Sequence, residues 1–427
     1  MSVAKRLRRQ VVALEIEGSN PFAHPIFMQR TPLCVCTPVS LEGTLVSHLF
    51  KDVVELRRGD SEGNRMVLKL TTDGGTVIHA IAVPQDWPSR TGPTWTYLFE
   101  NEGLTLIDAG ATGSYAALEE GIAQTGFSVN DIERVVITHG HVDHDGAAGE
   151  LAQEADAEIW AHEIYSHLLP FNPWDIQRKA VSPIQQEMRR VTENNTQSED
   201  STSSRPSEYK TRHEDYFGRR RGYEVKGNIK DGDSLGGLRF MHAPGHSPDE
   251  ICATLDGVVF TGDHVLPEIT PHPTTKTQYS DDIKDNLPEA FHDEDSFYGL
   301  NTYLKSLKHV ADLGPKMAVL PAHRFFNKDS YNFQTVSRAS EIIRHHGRRL
   351  GRIVNRVGRD GSSLEALTRG FFARRKLIGG NLYAAMSEVV AHIELLEDIG
   401  DIRLADDRGI HSTGSENYRQ LIQELTS

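Results

Sequence analysis

The segment 139–145 reads HGHVDHD, so five of its seven side chains are His or Asp. Such groups repel one another when charged and are poor builders of a core, so crowding them makes sense around a shared cation. Imidazole and carboxylate suit zinc and several other divalent metals. His139 and His141 stand two apart in an extended segment leaving a strand, which turns both side chains to one side. Asp143 and His144 follow as the chain bends into a helix expected to begin near Asp145. Gly140, Gly146 and Gly149 allow the bend and a close backbone approach. One loop thus offers four candidate ligands.

Three more close later apolar runs: His246 in APGHSPDE, Asp263 in FTGDHVLP and His323 in VLPAHRFF. With 20 histidines in the chain, a lone one reads as structural. The joint pattern, H-x-H-x-D-H and then G-H, G-D and A-H, each at a strand terminus, reads as a metal site. Two divalent ions side by side would lower the pKa of a shared water to about 7, and its hydroxide would attack a carbonyl or a phosphorus. Asp143, a carboxylate beside that nucleophile, is the expected proton shuttle. His264 and His272 follow Asp263 and are candidate donors to substrate, with a purely structural loop role as the alternative. Glu268 reads as a solvated charge.

These seven residues resemble, in type and order, the signature of the metallo-β-lactamase superfamily. The resemblance spans about residues 46–330, apart from an insertion. It implies an αββα sandwich with two metals at one edge, between the sheets. It also implies that His139, His141 and His246 hold one ion, that Asp143, His144 and His323 hold the other, and that Asp263 bridges them. Asp108 in LIDAG matches a recurrent family position and would support the metal loop from behind; closing a strand turn is the alternative. Gly146-Ala147 departs from the family's usual glycine pair. His141 stands where redox di-iron members carry Glu, which favours hydrolysis. Asp263 stands where several true β-lactamases carry Cys, which disfavours antibiotic hydrolysis. The local match is best to hydrolases with a winged-helix tail, whose relatives include thioesterases and an endoribonuclease; His272-Pro273 departs from their motif. The implied activity is hydrolysis of a small acyl ester or thioester, acyl-CoA or a lactone among them. A metal-dependent endoribonuclease or phosphodiesterase is the alternative. Two divalent ions per chain are expected, Zn2+ first, with Fe and Mn as alternatives.

The elements around these motifs point the same way. Short β-type runs (MVLKLTT, TVIHAIAV, TWTYLFE, LTLIDAG) precede the His-rich loop, the last two joined by a turn at NEG. A helical SYAALEEGIAQTG and a buried strand IERVVITH follow, and the strand–helix alternation predicts an α/β core. Residues 1–45 read as a lead-in, and 168–228 as a polar insertion. Its stretch TENNTQSEDSTSSRPSE is nearly devoid of apolar residues and reads as mobile, and its flanks, with Trp174, Tyr209 and Tyr216, could form a lid. From 335 to 427 three helices and a hairpin suggest a winged-helix module.

Over all 427 residues the net charge is −14, which opposes general nucleic-acid binding. Residues 335–380 nonetheless carry 11 Lys/Arg against 3 Asp/Glu. Arg344, Arg348, Arg352 and Arg356 recur every four residues along one helix face. Docking on the core or packing in a homodimer is the first reading of that face; anionic-substrate and DNA binding are the alternatives. Cys34, Cys36 and Cys252 offer no disulfide framework, and Cys34 and Cys36 read as ordinary strand residues. No apolar run is long enough to cross a membrane, and no secretory signal is evident, so a cytoplasmic protein with a small-molecule acyl substrate is expected.

Overall fold

The computed structural model describes residues 26–27, 48–85, 89–172, 176, 179–198, 214–220, 222–372, 377, 380–405 and 408–427. The lead-in with Cys34 and Cys36, the lid candidates Trp174 and Tyr209, and residues 199–213 lie outside this set.

Two sheets face each other. In the first, the strands Asp52–Arg57, Val67–Thr71, Val77–Val83, Thr94–Glu100 and Leu104–Ile107 run antiparallel in sequence order. Arg134–Val136, Glu158–His162 and Val225–Ile229 then continue it in parallel. In the second, Leu238–His242, Ile251–Leu255 and Val258–Gly262 form an antiparallel meander, and Ala318–Pro321 joins parallel to Val258–Gly262. The NEG turn forms as expected, with Glu102 and Gly103 in the left-handed region that closes a tight hairpin.

Alternation sorts the side chains into layers. Leu68, Tyr97 and Phe99 of the first sheet meet Phe240, Phe260 and Leu320 of the second in one core, where Phe99 and Phe260 stack 5.5 Å apart. The outer face of the first sheet packs on the helices Tyr115–Ala123 and Ala148–Glu154 through Ile81, Leu118, Ile122 and Leu151. The outer face of the second, with Val259 and Val319, packs on Leu300–Ala311 through Tyr303, Leu304 and Leu307. The α/β expectation therefore appears as helix, sheet, sheet, helix.

The C-terminal part is helical. Ser337–Val357, Leu364–Phe371 and Gly380–Asp398 are followed by a hairpin of Ile402–Leu404 and Ile410–Ser412. A last helix, Asn417–Thr426, lies against Ser337–Val357, with Tyr418 and Ile422 over Gly351 and Gly347. The sequence reading had no such helix. Arg338 ties this region to the core, its guanidinium donating to the carbonyls of Leu266 and Ile269 at 2.9 and 3.1 Å.

The insertion is more ordered than its composition suggests. Pro183–Ser198 is one helix that carries the first seven residues of the stretch read as mobile. Residues 214–220 are also helical. Among the described residues no helix is long and apolar enough to cross a membrane.

Candidate metal centre

All seven residues singled out in the sequence converge at one edge of the two sheets. They leave the C-terminal ends of strands: the His-rich loop follows Arg134–Val136, Asp263 follows Val258–Gly262, and His323 follows Ala318–Pro321. Parallel neighbours put their C-terminal ends side by side, which is why residues so far apart in sequence meet here. Gly146 permits the tight loop, since a Cβ there would sit 2.0 Å from the Thr112 nitrogen and 2.3 Å from the Val142 oxygen.

Two trios form, His139 with His141 and His246, and Asp143 with His144 and His323. In the first, His139 Nε2 and His246 Nε2 lie 2.9 and 3.2 Å from His141 Nδ1. In the second, His323 Nε2 lies 3.2 Å from Asp143 Oδ2, and His144 Nε2 lies 4.0 Å from Asp143 Oδ1. Asp263 stands between them. Its Oδ2 is 3.6 Å from His246 Nε2, and its Oδ1 is 3.6 and 3.4 Å from the Nε2 atoms of His144 and His323.

Each rear nitrogen is held. His144 Nδ1 meets Asp108 Oδ2 at 2.8 Å, His246 Nδ1 meets the His272 carbonyl at 2.8 Å, and His323 Nδ1 meets the Pro93 carbonyl at 3.0 Å. Donation backwards from Nδ1 leaves the Nε2 lone pairs aimed inward. His144 Nε2, His323 Nε2 and Asp263 Oδ1 are buried with no hydrogen-bond partner. Buried polar atoms are rarely left so, and donors of this type and convergence fit a pair of divalent cations.

The electrostatics agree. Burial, then the neighbouring imidazoles, holds His139 well below the usual range, and burial with His246 beside it lowers His141 to about 3. Both rings are therefore neutral, the form that can coordinate. Burial alone would raise Asp143, but the neighbouring His323 and His144 imidazoles hold it below its ordinary value. Burial likewise opposes the charged form of His144, yet Asp108 and Asp263 raise it well above its ordinary value. A cation would replace that proton.

Asp108 lies behind the His-rich loop and bonds to it. Held at φ +60, it accepts from the Thr138 amide and hydroxyl at 2.8 Å each, besides His144. Other supports were not read from the sequence. Gln85 Nε2 donates to Asp143 Oδ2 at 3.0 Å, the Gly140 amide to Asp249 Oδ2 at 2.8 Å, and the Asp263 amide to Glu250 Oε1 at 2.9 Å. The adjacent acids of APGHSPDE, directly before a buried strand, were the available signal. Asp145 faces away from the centre and accepts from Tyr165 and Tyr216 hydroxyls at 2.8 Å and from Arg220 Nε at 3.0 Å. Tyr216 thus buttresses the loop from below instead of forming a lid.

The two substrate candidates separate. His272 lines a cleft beside His246, with its Nε2 3.1 Å from the Ala384 carbonyl. His264 is fully buried with its ring against Tyr303 at 5.1 Å, and it does not reach the cleft. The small apolar turn around it draws it into the core. Glu268 is not simply solvated, since it accepts from Asn327 Nδ2 at 2.6 Å. A further trio, His346, Glu388 and His392, lies among the C-terminal helices. Its members bond to one another, and Arg349 already supplies Glu388 with a cation, which disfavours a metal ion.

Residues 89–323 match the family model of the metallo-beta-lactamase superfamily. The chain belongs to that superfamily. A probable metallo-hydrolase of Bacillus subtilis (strain 168) is 26% identical over 257 residues, 58% of this chain and 72% of that protein. An exodeoxyribonuclease of Bacillus anthracis is 34% identical over 67 residues, 16% of this chain and 25% of that protein. The crystal structure of a beta-lactamase domain protein from Burkholderia ambifaria superposes with a TM-score of 0.55 at 22% identity, covering 80% of this chain and 95% of that one.

Proposed function

We propose that this superfamily member is a binuclear metal-dependent hydrolase of small acyl esters or thioesters. The observation that carries the proposal is the double trio with Asp263 between its halves, one member of which, His246, borders a cleft. His139, His141 and His246 would hold one ion, Asp143, His144 and His323 the other, and Asp263 both. When bound, such ions supply Lewis acidity and a water of lowered pKa.

The chain's own residues do the rest. Gln85 donates to Oδ2 of Asp143, and His323 Nε2 lies 3.2 Å from the same oxygen, leaving Oδ1 to take a proton. As water attacks the acyl carbon, Asp143 accepts the proton it sheds, and the carbon–sulfur or carbon–oxygen bond breaks. The proton then passes to the departing thiolate or alkoxide, so charge balances. The helices Pro183–Ser198 and Gly380–Asp398 wall the cleft through Met188 and Tyr383 and limit access of bulk water. A walled cleft suits a compact substrate better than a polymer strand.

A hydrolysis panel of thioester, aryl ester, lactone, phosphodiester and single-stranded RNA tests this. Turnover of an ester or thioester is expected, lost on chelation and in Asp143→Ala. Phosphodiester cleavage without ester turnover would overturn the proposal. The basic helix face and the short match to an exodeoxyribonuclease support that second reading.

A further inference from the structure

The walls of the cleft carry a pattern that the metal trios do not explain. Gln185, Met188 and Arg189 line it from one helix, at the i, i+3, i+4 spacing that sets side chains on a common face. Tyr383 and Ser387 line it from another, one turn apart. His246 and His272 line it as well, so one candidate metal ligand, His246, borders the same space as these two helices.

Arg189 is the only Lys or Arg on these walls among the described residues. Arg190, its neighbour, is engaged by Glu187 through two hydrogen bonds of 2.8 and 2.6 Å. Gln185 is committed to Glu394 and the Lys276 carbonyl, at 2.7 and 2.9 Å. The Arg189 guanidinium, half-buried, has no carboxylate partner among the described residues. The Tyr383 and Ser387 hydroxyls, also half-buried, lie on the facing helix and can donate to the same guest. A planar guanidinium flanked by hydroxyl donors is a receptor for an oxyanion.

We infer that Arg189, with Tyr383 and Ser387, forms a subsite for an anionic group of the substrate, a carboxylate or a phosphate, set across the cleft from the scissile acyl bond. This rests on the ester or thioester reading above and narrows it to acyl compounds bearing a negative charge away from the reacting carbon. The charge sits either on the acyl chain, as a terminal carboxylate, or on the leaving group, as a phosphate.

Binding of non-hydrolysable thioether analogues to the full, metal-loaded chain tests the subsite without requiring turnover. Three length-matched analogues are compared by calorimetry: neutral, carboxylate on the acyl side, and phosphate on the thiol side. One charged analogue should bind about ten- to a hundred-fold tighter than the neutral one, the range of a hydrogen bond to a charged group. The arm that gains identifies the source of the anion. In Arg189→Gln the ratio should fall to near one, and Arg189→Lys should restore part of it. Arg190→Gln, which removes the same charge one residue away, should keep it. Equal binding of all three analogues, or a ratio that survives Arg189→Gln, overturns the inference. Turnover of the matching thioesters is followed in parallel. Charge-dependent binding without turnover would sink the hydrolase reading and leave the subsite standing; turnover without charge dependence would do the reverse.

Discussion

At the residue scale, what distinguishes this centre is that the inward nitrogens are defined by what lies behind them. His144, His246 and His323 each have Nδ1 on a fixed acceptor, so no ring is free to turn its lone pair away. The proposed ligand set predicts two divalent ions per chain by elemental analysis. Asp263→Ala should deplete both positions, whereas His246→Ala should remove about one ion; equal loss from the two variants would contradict the bridging role. Asp108→Asn keeps the shape but loses the charge behind His144, and metal affinity should fall about 10–100-fold in a chelator competition. The seven inward residues were legible because their types are costly without a cation and each closes a strand. Gln85, Asp249 and Glu250 were not, because an amide or carboxylate that supports a loop has no spacing rule. His264 shows the converse: its position beside Asp263 suggested contact with substrate, but in the turn after Val258–Gly262 its ring is fully buried against Tyr303.

At the element scale, the insertion shows what composition cannot: 192–208 reads as mobile, and 199–208 lies outside the described residues, but the helix Pro183–Ser198 that leads into it is anchored by contacts that are not local. Ser182 and Gln185 reach Glu394 at 2.7 Å, and Ile184, Met188 and Val191 join the C-terminal core. The second helical piece, 214–220, delivers Arg220 beneath the metal loop, where it pairs with Asp145 with both groups nearly fully buried. Arg220→Met would strand that carboxylate, and a loss of about 3–5 kcal/mol is expected in denaturant unfolding. Adding Asp145→Leu should recover much of it. The C-terminal helices predict a pH effect. Burial, and then Arg349 and Arg348, lowers His345 to about 3, while burial and neighbouring imidazoles hold His346 and His392 well below 6.5. The folded chain keeps these rings neutral and the unfolded chain protonates them below about pH 6.5. Their contribution is therefore present above that pH and lost on acidification. Each adds up to about 1.4 kcal/mol per pH unit. Urea unfolding of chelated protein from pH 7.5 to 5 should show this, with a shallower slope in His345→Gln.

At the scale of the whole molecule, the decisive quantity is where positive charge remains available. The sequence placed an arginine face on Ser337–Val357 in a chain of net charge −14, and both statements hold. What spacing could not show is how much of that charge is already engaged. Arg338 and Arg349 turn inward, to backbone carbonyls and to Glu388. Arg352 stacks on Phe371 at 4.8 Å, Arg356 donates to the Gly370 carbonyl at 3.3 Å, and Arg369 pairs with Glu365. Arg344, Arg348 and Arg359 remain exposed and unpaired among the described residues, and Arg374, Arg375 and Lys376 lie outside that set. A nuclease gripping single strands needs many phosphate contacts, each adding about 0.7 to the slope of log affinity against log salt. Three free arginines give a slope of about 2.1. RNA binding should accordingly be weak and shallow in salt, and thioester turnover should be unchanged in Arg344→Glu/Arg348→Glu. RNA cleavage that is fast, falls with a slope of about 5 or more and collapses in that double variant would transfer the activity to nucleic acid.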